Sequence, residues 1–244
     1  MLQRPGSDSY VVTHDGRSLR VSPRLDGAAL VLSVMAGAPP ADAELVACTL
    51  AAIEQQHGAI DVITTALHDV DRGPFEANGF REIDALHLLA RPLQPVPGAP
   101  ALATGPPLRR PHRRDWPLVE ALDALAFAPL WRLERAGIED AVRATATARL
   151  RVVGDARPLG YVVVGRSAKR GYVQRLAVHP DAAGRGLGSA LLLDGLRWLR
   201  RRGAADALVN TQHTTERALA LYERHGFVRQ RHGLVVLGRR LGPS

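Results

Sequence analysis

The chain has 244 residues, of which 46% are hydrophobic and 5% aromatic, and its formal net charge at pH 7 is +8. This hydrophobic content is enough for one large or two small folded domains, and it excludes a chain that is disordered throughout. Cys48 is the single cysteine, which excludes an internal disulfide and a multi-cysteine zinc site. We predict no metal site.

The charge is distributed unevenly along the sequence. The net charge is −5 through Pro107 and +13 from Leu108 onward. This asymmetry suits a nucleic-acid surface, a cofactor with several phosphates, or two halves that attract each other. Because the sequence lacks the interleaved aromatic residues that stack on bases, we expect no nucleic-acid partner.

The sequence contains no run of about 18 apolar residues and no basic start followed by an apolar stretch. We therefore expect no membrane partner and a cytoplasmic location. Cys48 falls within an apolar helical run at 45–52, where we expect it to pack in the core. Nothing in the run indicates a histidine close enough to activate its thiol.

The first part of the chain alternates strands with one helix. Apolar runs bounded by turn residues predict strands at 9–14, 19–22, 28–35 and 60–66, and helical spacing predicts a helix at 42–57. Residues 92–107 combine many prolines with little charge, a composition typical of an extended connector. We therefore predict a first domain at 1–95, a linker at 96–107 and a second domain at 108–244.

The second part of the chain predicts a longer α/β pattern. Helices are expected at 115–127, 136–147, 186–202 and 216–225, and strands at 148–153, 160–165, 171–178, 207–211 and 234–239. The strand that ends Leu176-Ala177-Val178 leads into a turn that contains Gly184, Gly186 and Gly188 and then opens a helix. A helix start leaves backbone N–H groups without partners at the positive end of the dipole, so this turn predicts a phosphate or pyrophosphate site.

Two motifs in this part resemble the GNAT superfamily of N-acetyltransferases. The first is Ala183-Gly184-Arg185-Gly186-Leu187-Gly188 after the Leu-Ala-Val strand, and the second is Ala218-Leu219-Ala220-Leu221-Tyr222-Glu223-Arg224-His225-Gly226-Phe227. The resemblance covers about 108–241 and implies the α+β fold of that family, a mixed, mostly antiparallel sheet flanked by helices. It implies acetyl-CoA as co-substrate. The implied binding residues are Leu176, Ala177, Val178, Ala183, Gly184, Arg185, Gly186, Leu187, Gly188, Ser189 and Thr215.

The sequence departs from the family pattern at two positions. Ala183 replaces the usual Gln or Arg, and Thr215 replaces the usual Asn. Because pyrophosphate is held mainly by backbone groups, we expect the site to form with a weaker affinity for the cofactor. The Thr215 hydroxyl can still face the pantetheine arm.

The first segment repeats features of the second. Phe75-Glu76-Ala77-Asn78-Gly79-Phe80 parallels Tyr222-Glu223-Arg224-His225-Gly226-Phe227, and Leu89-Ala90-Arg91 parallels Leu237-Gly238-Arg239. This predicts a second, smaller, degenerate α/β GNAT-like domain at the N-terminus, in a tandem arrangement similar to mycothiol synthase. The repeat lacks Gly-x-Gly before its helix and has Phe75 in place of Tyr222, so we expect only the second domain to bind cofactor.

The resemblance implies direct attack of an amine on the thioester in a ternary complex. The Val178 N–H would polarise the acetyl oxygen, and Tyr222 would protonate the departing thiolate. No carboxylate precedes the Leu-Ala-Val strand, so we expect an α-amine or another weakly basic amine, or a proton relay through water held by Gln174 or Gln212. His213 is a less favoured base.

Several alternatives stay open at this point. His179 is expected to be structural, and Trp131 or Glu134 could frame the acceptor amine. The acceptor itself and the acyl chain length cannot be read from the sequence, and a homodimer is left open. The rival function is a non-catalytic acyl-CoA-binding sensor, which the two departures from the motif and the missing carboxylate would suit.

Overall fold

The computed structural model describes residues 9–24, 27–35, 38–93 and 108–242. The chain divides into two compact units, one formed by Met1–His87 with Arg231–Ser244 and one formed by Leu88–Gln230. The predicted linker at 96–107 lies outside the described residues. The domain limits 1–95 and 108–244 therefore stay a prediction from sequence.

The predicted helices and strands occur in the expected order, together with five elements at 67–68, 73–76, 81–92, 108–109 and 228–229 that were not predicted. The strands are β1 Tyr10–His14, β2 Arg17–Pro23, β3 Ala29–Val34, β4 Asp61–Thr64, β5 Leu67–His68, β6 Arg81–Pro92, β7 Leu108–Arg109, β8 Thr147–Val153, β9 Gly160–Ser167, β10 Arg170–Val178, β11 Asp206–Gln212, β12 Val228–Arg229 and β13 Leu234–Arg240. The helices are α1 Ala43–His57, α2 Gly73–Glu76, α3 Trp116–Ala126, α4 Arg135–Arg143, α5 Leu187–Arg201 and α6 Glu216–Arg224. None of these helices is long and apolar enough to cross a membrane.

The first unit is a mixed sheet with α1 packed on it. Strands β1, β2 and β3 pair antiparallel, and β3 pairs parallel with β4 after the crossover through α1. Strand β13 pairs antiparallel with β4 and with the first part of β6. The core lies under α1, where Leu45, Val46, Leu50 and Ile53 pack on apolar strand residues. Burial of this apolar helix face stabilises the unit, and the opposite face of α1 is in contact with solvent.

The second unit has the same kind of mixed sheet. Strands β7, β8, β9 and β10 pair antiparallel in that order, and β10 pairs parallel with β11 after the crossover through α5. One core contains α5, α6 and β11, and a second contains α3 and α4 on the face of β8–β10 that Val152, Tyr161 and Ala177 line. The predicted mixed, mostly antiparallel sheet flanked by helices is confirmed.

The two units share one local arrangement. Gly79 and Gly226 each have φ +79, and each follows a residue whose carbonyl accepts a hydrogen bond from an arginine: Asn78 from Arg239 and His225 from Arg91. In both units an aromatic pair accompanies this turn edge to face, Phe75 with Phe80 at 5.6 Å and Tyr222 with Phe227 at 5.7 Å. The repeat that the sequence predicts is therefore present in three dimensions.

The predicted element limits differ most at α4. The sequence predicts this helix to 147, whereas it ends at Arg143. Thr147 instead pairs with Arg166 as the first residue of β8. The β-branched Thr145 and Thr147 favour the extended conformation, which explains the early end of the helix.

Candidate active site

The N-terminus of α5 is an open set of backbone donors. Gly184 and Gly186 have φ +78 and +76, and Gly186 occupies the N-cap position without a side-chain cap. The first helical N–H with an acceptor belongs to Ala190, which donates to Gly186 O at 3.0 Å. Among the described residues, none accepts a hydrogen bond from the N–H groups of 184–189. Free donors at the positive end of a helix dipole are suited to binding an anion, and we refer to the N–H groups of 184–189 as the anion site.

Glycine is required at Gly184 by conformation and not by space. A Cβ built on Gly184 would meet nothing within 4 Å, yet its φ lies in the left-handed region. Residues Ala183, Gly184, Arg185 and Gly186 are all exposed, so the N–H groups at the start of this turn are accessible. Leu187, by contrast, is buried in the core beside α5, so its side chain anchors the helix and only its backbone faces the site.

Strands β10 and β11 separate before either ends. Their parallel pairing runs only from Arg170↔Asp206 to Tyr172↔Leu208, although β10 continues to Val178 and β11 to Gln212. A β-bulge between Val173 and Arg175 marks the place where β10 changes its course. The sheet therefore contains a gap beside the residues 174–178.

The Val178 N–H faces this gap. His179 N donates to Leu159 O at 2.8 Å, so that pair is hydrogen-bonded in the antiparallel ladder of β10 and β9. Because hydrogen-bonded and non-hydrogen-bonded pairs alternate, the next pair, Val178↔Gly160, turns its N–H groups away from each other. The same alternation turns the Leu176 N–H into the gap. An extended ligand can pair with the free edge of β10 at these two positions.

Tyr222 belongs to the core against which Leu176 and Val178 of β10 pack. The side chain is buried, and burial raises the pKa of Tyr222 above its usual value, while the charge of Arg175 acts in the opposite direction. The phenol is therefore protonated at neutral pH, as a proton donor must be. Among the described residues, none makes a hydrogen bond with its hydroxyl. Tyr222 is available as an acid.

Contacts between α5 and α6 hold the gap and the anion site together. A Cβ on Gly188 would lie 3.3 Å from Leu221 Cδ2 and 3.7 Å from Val178 Cγ2, so the start of α5 packs closely on both elements. Ser189 Oγ lies 2.9 Å from His225 Nε2 at the end of α6. Burial is the main cause that lowers the pKa of His225, which keeps this imidazole neutral at pH 7.

Thr215 stands at the start of α6. It occupies the N-cap position without capping through its side chain, and its hydroxyl donates weakly to Gln212 Oε1 at 3.4 Å. Gln212 at the end of β11 and Thr215 at the start of α6, which the sequence analysis singled out, are therefore neighbours.

A buried carboxylate that the sequence analysis missed reaches β10 from α3. Asp123 is fully buried and accepts hydrogen bonds from Arg175, from the Tyr161 hydroxyl and from Leu133 N at 2.7 Å. Four donors saturate its oxygens, so it is a poor general base. The signal in the sequence was an Asp at helical spacing among apolar residues, because a carboxylate placed there requires buried partners.

The candidate bases have separate environments. Gln174 donates its amide to Ala141 O at 2.7 Å, and its Oε1 is buried without a hydrogen-bond partner among the described residues. His179 Nδ1 accepts from Asp181 N at 3.3 Å within its turn, in agreement with the structural role expected for it. His213 is exposed.

The prediction that Cys48 packs in the core is wrong. It is exposed on α1, and its Sγ lies 4.0 Å from His14 Nδ1. Cys48 lies on the exposed face of α1. The buried face of this helix consists of Leu45, Val46, Thr49, Leu50 and Ile53. His14, Asp15 and Glu44 bring possible metal-ligand atoms within 4.8 Å of one another, but the two carboxylates are exposed.

The comparisons with known proteins agree with this geometry. Residues 112–227 match the acetyltransferase (GNAT) family. They include the N–H groups of 184–189, the gap and Tyr222, so this part of the chain is similar to the GNAT acetyltransferase family, in agreement with the sequence motifs.

Curated relatives carry the name mycothiol acetyltransferase. The protein of that name from Actinosynnema mirum is 33% identical over 162 residues, which is 62% of this chain and 54% of the relative. The one from Rhodococcus jostii is 48% identical over 59 residues, or 24% of this chain and 19% of the relative. The matches thus span between a fifth and about half of these relatives' lengths.

Solved structures support the two-part fold. A tandem GNAT protein from the clavulanic acid biosynthesis pathway aligns over 98% of this chain and 84% of its own, with TM-score 0.70 and 18% identity. A GCN5-related N-acetyltransferase from Sphaerobacter thermophilus aligns over 94% and 78%, with TM-score 0.67 and 18% identity. At this identity the likeness shows the fold alone, and it includes the GNAT-like N-terminal half.

Proposed function

We propose that this chain is an acetyl-CoA-dependent N-acetyltransferase that moves an acetyl group to a primary amine by direct attack. The observation that carries the proposal is the coincidence of three features in one unit: the free N–H groups at 184–189, the unpaired edge of β10 at Leu176 and Val178, and the protonated Tyr222. Each matches one part of acetyl-CoA and its reaction, which are the diphosphate, the pantetheine arm with its acetyl group, and the leaving thiolate.

The residues at the anion site suit a diphosphate. Exposed backbone donors in the first turn of α5 can bind several phosphate oxygens, and the positive end of the helix dipole adds to the attraction. Ala183 offers no side-chain donor, and its N–H is already bonded to Pro180 O at 3.0 Å. Binding there would therefore rest on the backbone of 184–189.

The gap suits the acyl arm. The pantetheine amides can continue the ladder along β10, and the Val178 N–H then points at the acetyl oxygen where negative charge develops on attack. Tyr222 then protonates the thiolate of coenzyme A, and the amine loses a proton to form the amide.

The side chains that β10 places at the gap favour a weakly basic amine. Asp123 is engaged by four donors, and β10 has Gln174 and Arg175 at the positions where a carboxylate base was sought. An α-amine with a pKa near 8 is neutral at pH 7 far more often than a lysine amine near 10.4, a difference of about 3.5 kcal/mol. The acceptor that we propose is thus an α-amine or an amine of similar basicity, and a small molecule and a peptide N-terminus fit equally well.

The first unit is proposed as a repeat that binds no cofactor. The N-terminus of α1 is capped by Asp42, whose Oδ1 accepts from Leu45 N at 2.8 Å. Asp42 also pairs with Arg17 at 3.1 Å. This carboxylate occupies one of the N–H donors that a phosphate would need and repels an anion, whereas α5 has no such side-chain cap.

Thiol release from acetyl-CoA tests the proposal. The purified chain is assayed at pH 7 with glycinamide as an α-amine, with Nα-acetyl-lysine amide as a lysine-type amine, and with a mycothiol-related amine suggested by the name of the relatives. We expect amine-dependent thiol release, faster with glycinamide than with the lysine amine at equal concentration. Calorimetric binding of acetyl-CoA without thiol release for any amine would instead favour a non-catalytic acyl-CoA sensor.

A further inference from the structure

A buried ionic network lies on the face of β10 that looks toward α3 and α4. Arg175 Nε and Nη2 donate to the two oxygens of Asp123 at 2.8 and 2.7 Å, and the side chains are 9% and 0% exposed. The Tyr161 hydroxyl on β9 completes the network by donating to Asp123. Such a bidentate pair, saturated by further donors, fixes its members in a single geometry.

This network holds the chain segment 127–133, which connects α3 to α4. Arg175 Nη2 donates to Trp131 O at 2.5 Å, and Leu133 N donates to Asp123 Oδ1 at 2.7 Å. The Arg175 guanidinium also lies 3.4 Å from the centre of the Phe127 ring. The segment is thus attached to β10 at its start, middle and end, all through the same ion pair.

The position of this segment relates it to the gap. Successive side chains of a strand point to opposite faces, so Leu176 and Val178 pack toward the core of α5 while Arg175 and Ala177 face α3 and α4. The anion site is at α5, so a bound acetyl-CoA enters the gap from that side. An amine that attacks the thioester from the opposite face would then approach on the Arg175 side. Leu176 and Val178, which flank this face of β10, pack against the core that contains Tyr222.

We propose that Asp123, Arg175 and Tyr161 are positioning residues that clamp the segment 127–133 beside the gap, where this segment forms the wall that the acceptor amine contacts. The inference rests on the proposed function and adds to it the buried ion pair that positions this segment.

Arg175→Lys tests the clamp with little change in charge. Lysine keeps the positive charge beside Asp123, but it lacks the planar fork that bonds both oxygens and the Trp131 carbonyl together. The matched control is Arg170→Lys, on the same strand, where Arg170 makes a similar pair with Asp206 at 3.0 Å but is exposed and contacts no part of 127–133. Tyr161→Phe is the milder variant, since it removes one donor and leaves the ion pair intact.

The readouts are the KM for glycinamide, kcat, the calorimetric Kd for acetyl-CoA, and hydrogen exchange of 127–133 followed by mass spectrometry. For Arg175→Lys we expect a KM raised about tenfold or more, an unchanged Kd and faster exchange in 127–133, with a smaller effect of the same kind for Tyr161→Phe and none for Arg170→Lys. An unchanged KM with faster exchange would overturn the acceptor role. Unchanged exchange would overturn the clamp itself. Absence of thiol release in the parent protein would refute the proposed function and the acceptor role together, while the exchange measurement would still decide on the clamp.

Discussion

Tyr222→Phe removes the hydroxyl group that is proposed to protonate the thiolate and leaves the aromatic ring in place. The ring packs edge to face on Phe227 at 5.7 Å in the core beside α5, and phenylalanine can keep that contact. The first unit shows that the fold accepts this change, since Phe75 occupies the equivalent position and packs on Phe80 in the same way. Any large effect of the substitution is therefore chemical.

The expected magnitudes for Tyr222→Phe follow from the surroundings of the hydroxyl. A positioned general acid contributes about 10²–10⁴-fold, so kcat should fall by that factor, or about 3–5 kcal/mol in barrier height. Because none of the described residues makes a hydrogen bond with the hydroxyl, the free energy of unfolding should change by no more than about 1 kcal/mol. The Kd for acetyl-CoA should stay the same.

The raised pKa of Tyr222 adds a prediction about alkaline stability. Below the ordinary tyrosine pKa near 10 the phenol is protonated in the folded and the unfolded state, so it makes no difference to stability there. Above that pH the unfolded chain ionises while buried Tyr222 does not, so the free energy of unfolding falls by about 1.4 kcal/mol per pH unit for each such group. Tyr161, whose pKa burial also raises, contributes in the same way. Tyr222→Phe should reduce this slope by one proton.

The assay for Tyr222→Phe is thiol release with saturating glycinamide, together with urea unfolding at pH 7 and from pH 9.5 to 11. Tyr172→Phe is the control, since it removes the same atom from a half-buried tyrosine on β10 and should leave kcat unchanged. A Tyr222→Phe protein that keeps kcat within threefold of the parent, while the control behaves as expected, would refute the acid role. Another group or water would then protonate the thiolate.

Three further predictions concern other parts of the structure. Gly186→Ala should cost about 1–2 kcal/mol in urea unfolding because of its left-handed φ and should also weaken acetyl-CoA binding, whereas Gly58→Ala, at φ +65 after α1, should lose only stability. Asp115→Asn should cost about 3–5 kcal/mol, because it leaves Arg109 without its buried partner at 2.5 Å. The hydrogen bond from Arg109 lowers the pKa of Asp115, so the stabilisation is present above the ordinary carboxyl pKa and is lost as pH falls below it. Thermal unfolding from pH 7 to 3 would show this loss in the parent protein. An Asp115→Asn protein with the same acid profile as the parent would contradict the prediction. Exposed Cys48 should react with iodoacetamide in the native protein without loss of thiol release, and a protected thiol would contradict its exposure.

Local sequence signals predicted most of the elements because they are strong in this chain. The helix α5 has Gly186 at its start, apolar residues on one face and Gly203 after its end, and it was predicted to within a residue at each terminus. The glycine turn was likewise legible, because only glycine adopts the φ values at 184 and 186 without strain. The anion site is thus a local feature of one short segment, and a sequence can specify it alone.

The clamp was not predictable in the same way. Asp123 and Arg175 are 52 residues apart, and their pairing depends on how α3 packs on β10. The sequence shows an arginine on β10 where a carboxylate was sought, and an aspartate within an apolar helix, but it does not show that each explains the other. The prediction that Cys48 packs in the core was wrong for a similar reason. The helical run that contains it is apolar on more than one side, and the strands beneath α1 decide which face becomes buried.

The two halves of the chain show which part of the shared fold is needed for chemistry. Both keep the parallel crossover, the turn at Gly79 or Gly226 and an aromatic pair, since these features bury apolar surface and close the fold. They differ at the start of the helix, where a bound phosphate would need free N–H groups, and at the aromatic position, where the proposed reaction needs a hydroxyl. In the first half Asp42 caps the helix start by accepting from Leu45 N, and Phe75 has no hydroxyl. In the second half the N–H groups of 184–189 and the phenol of Tyr222 stay without partners among the described residues, as the proposed binding and proton transfer require.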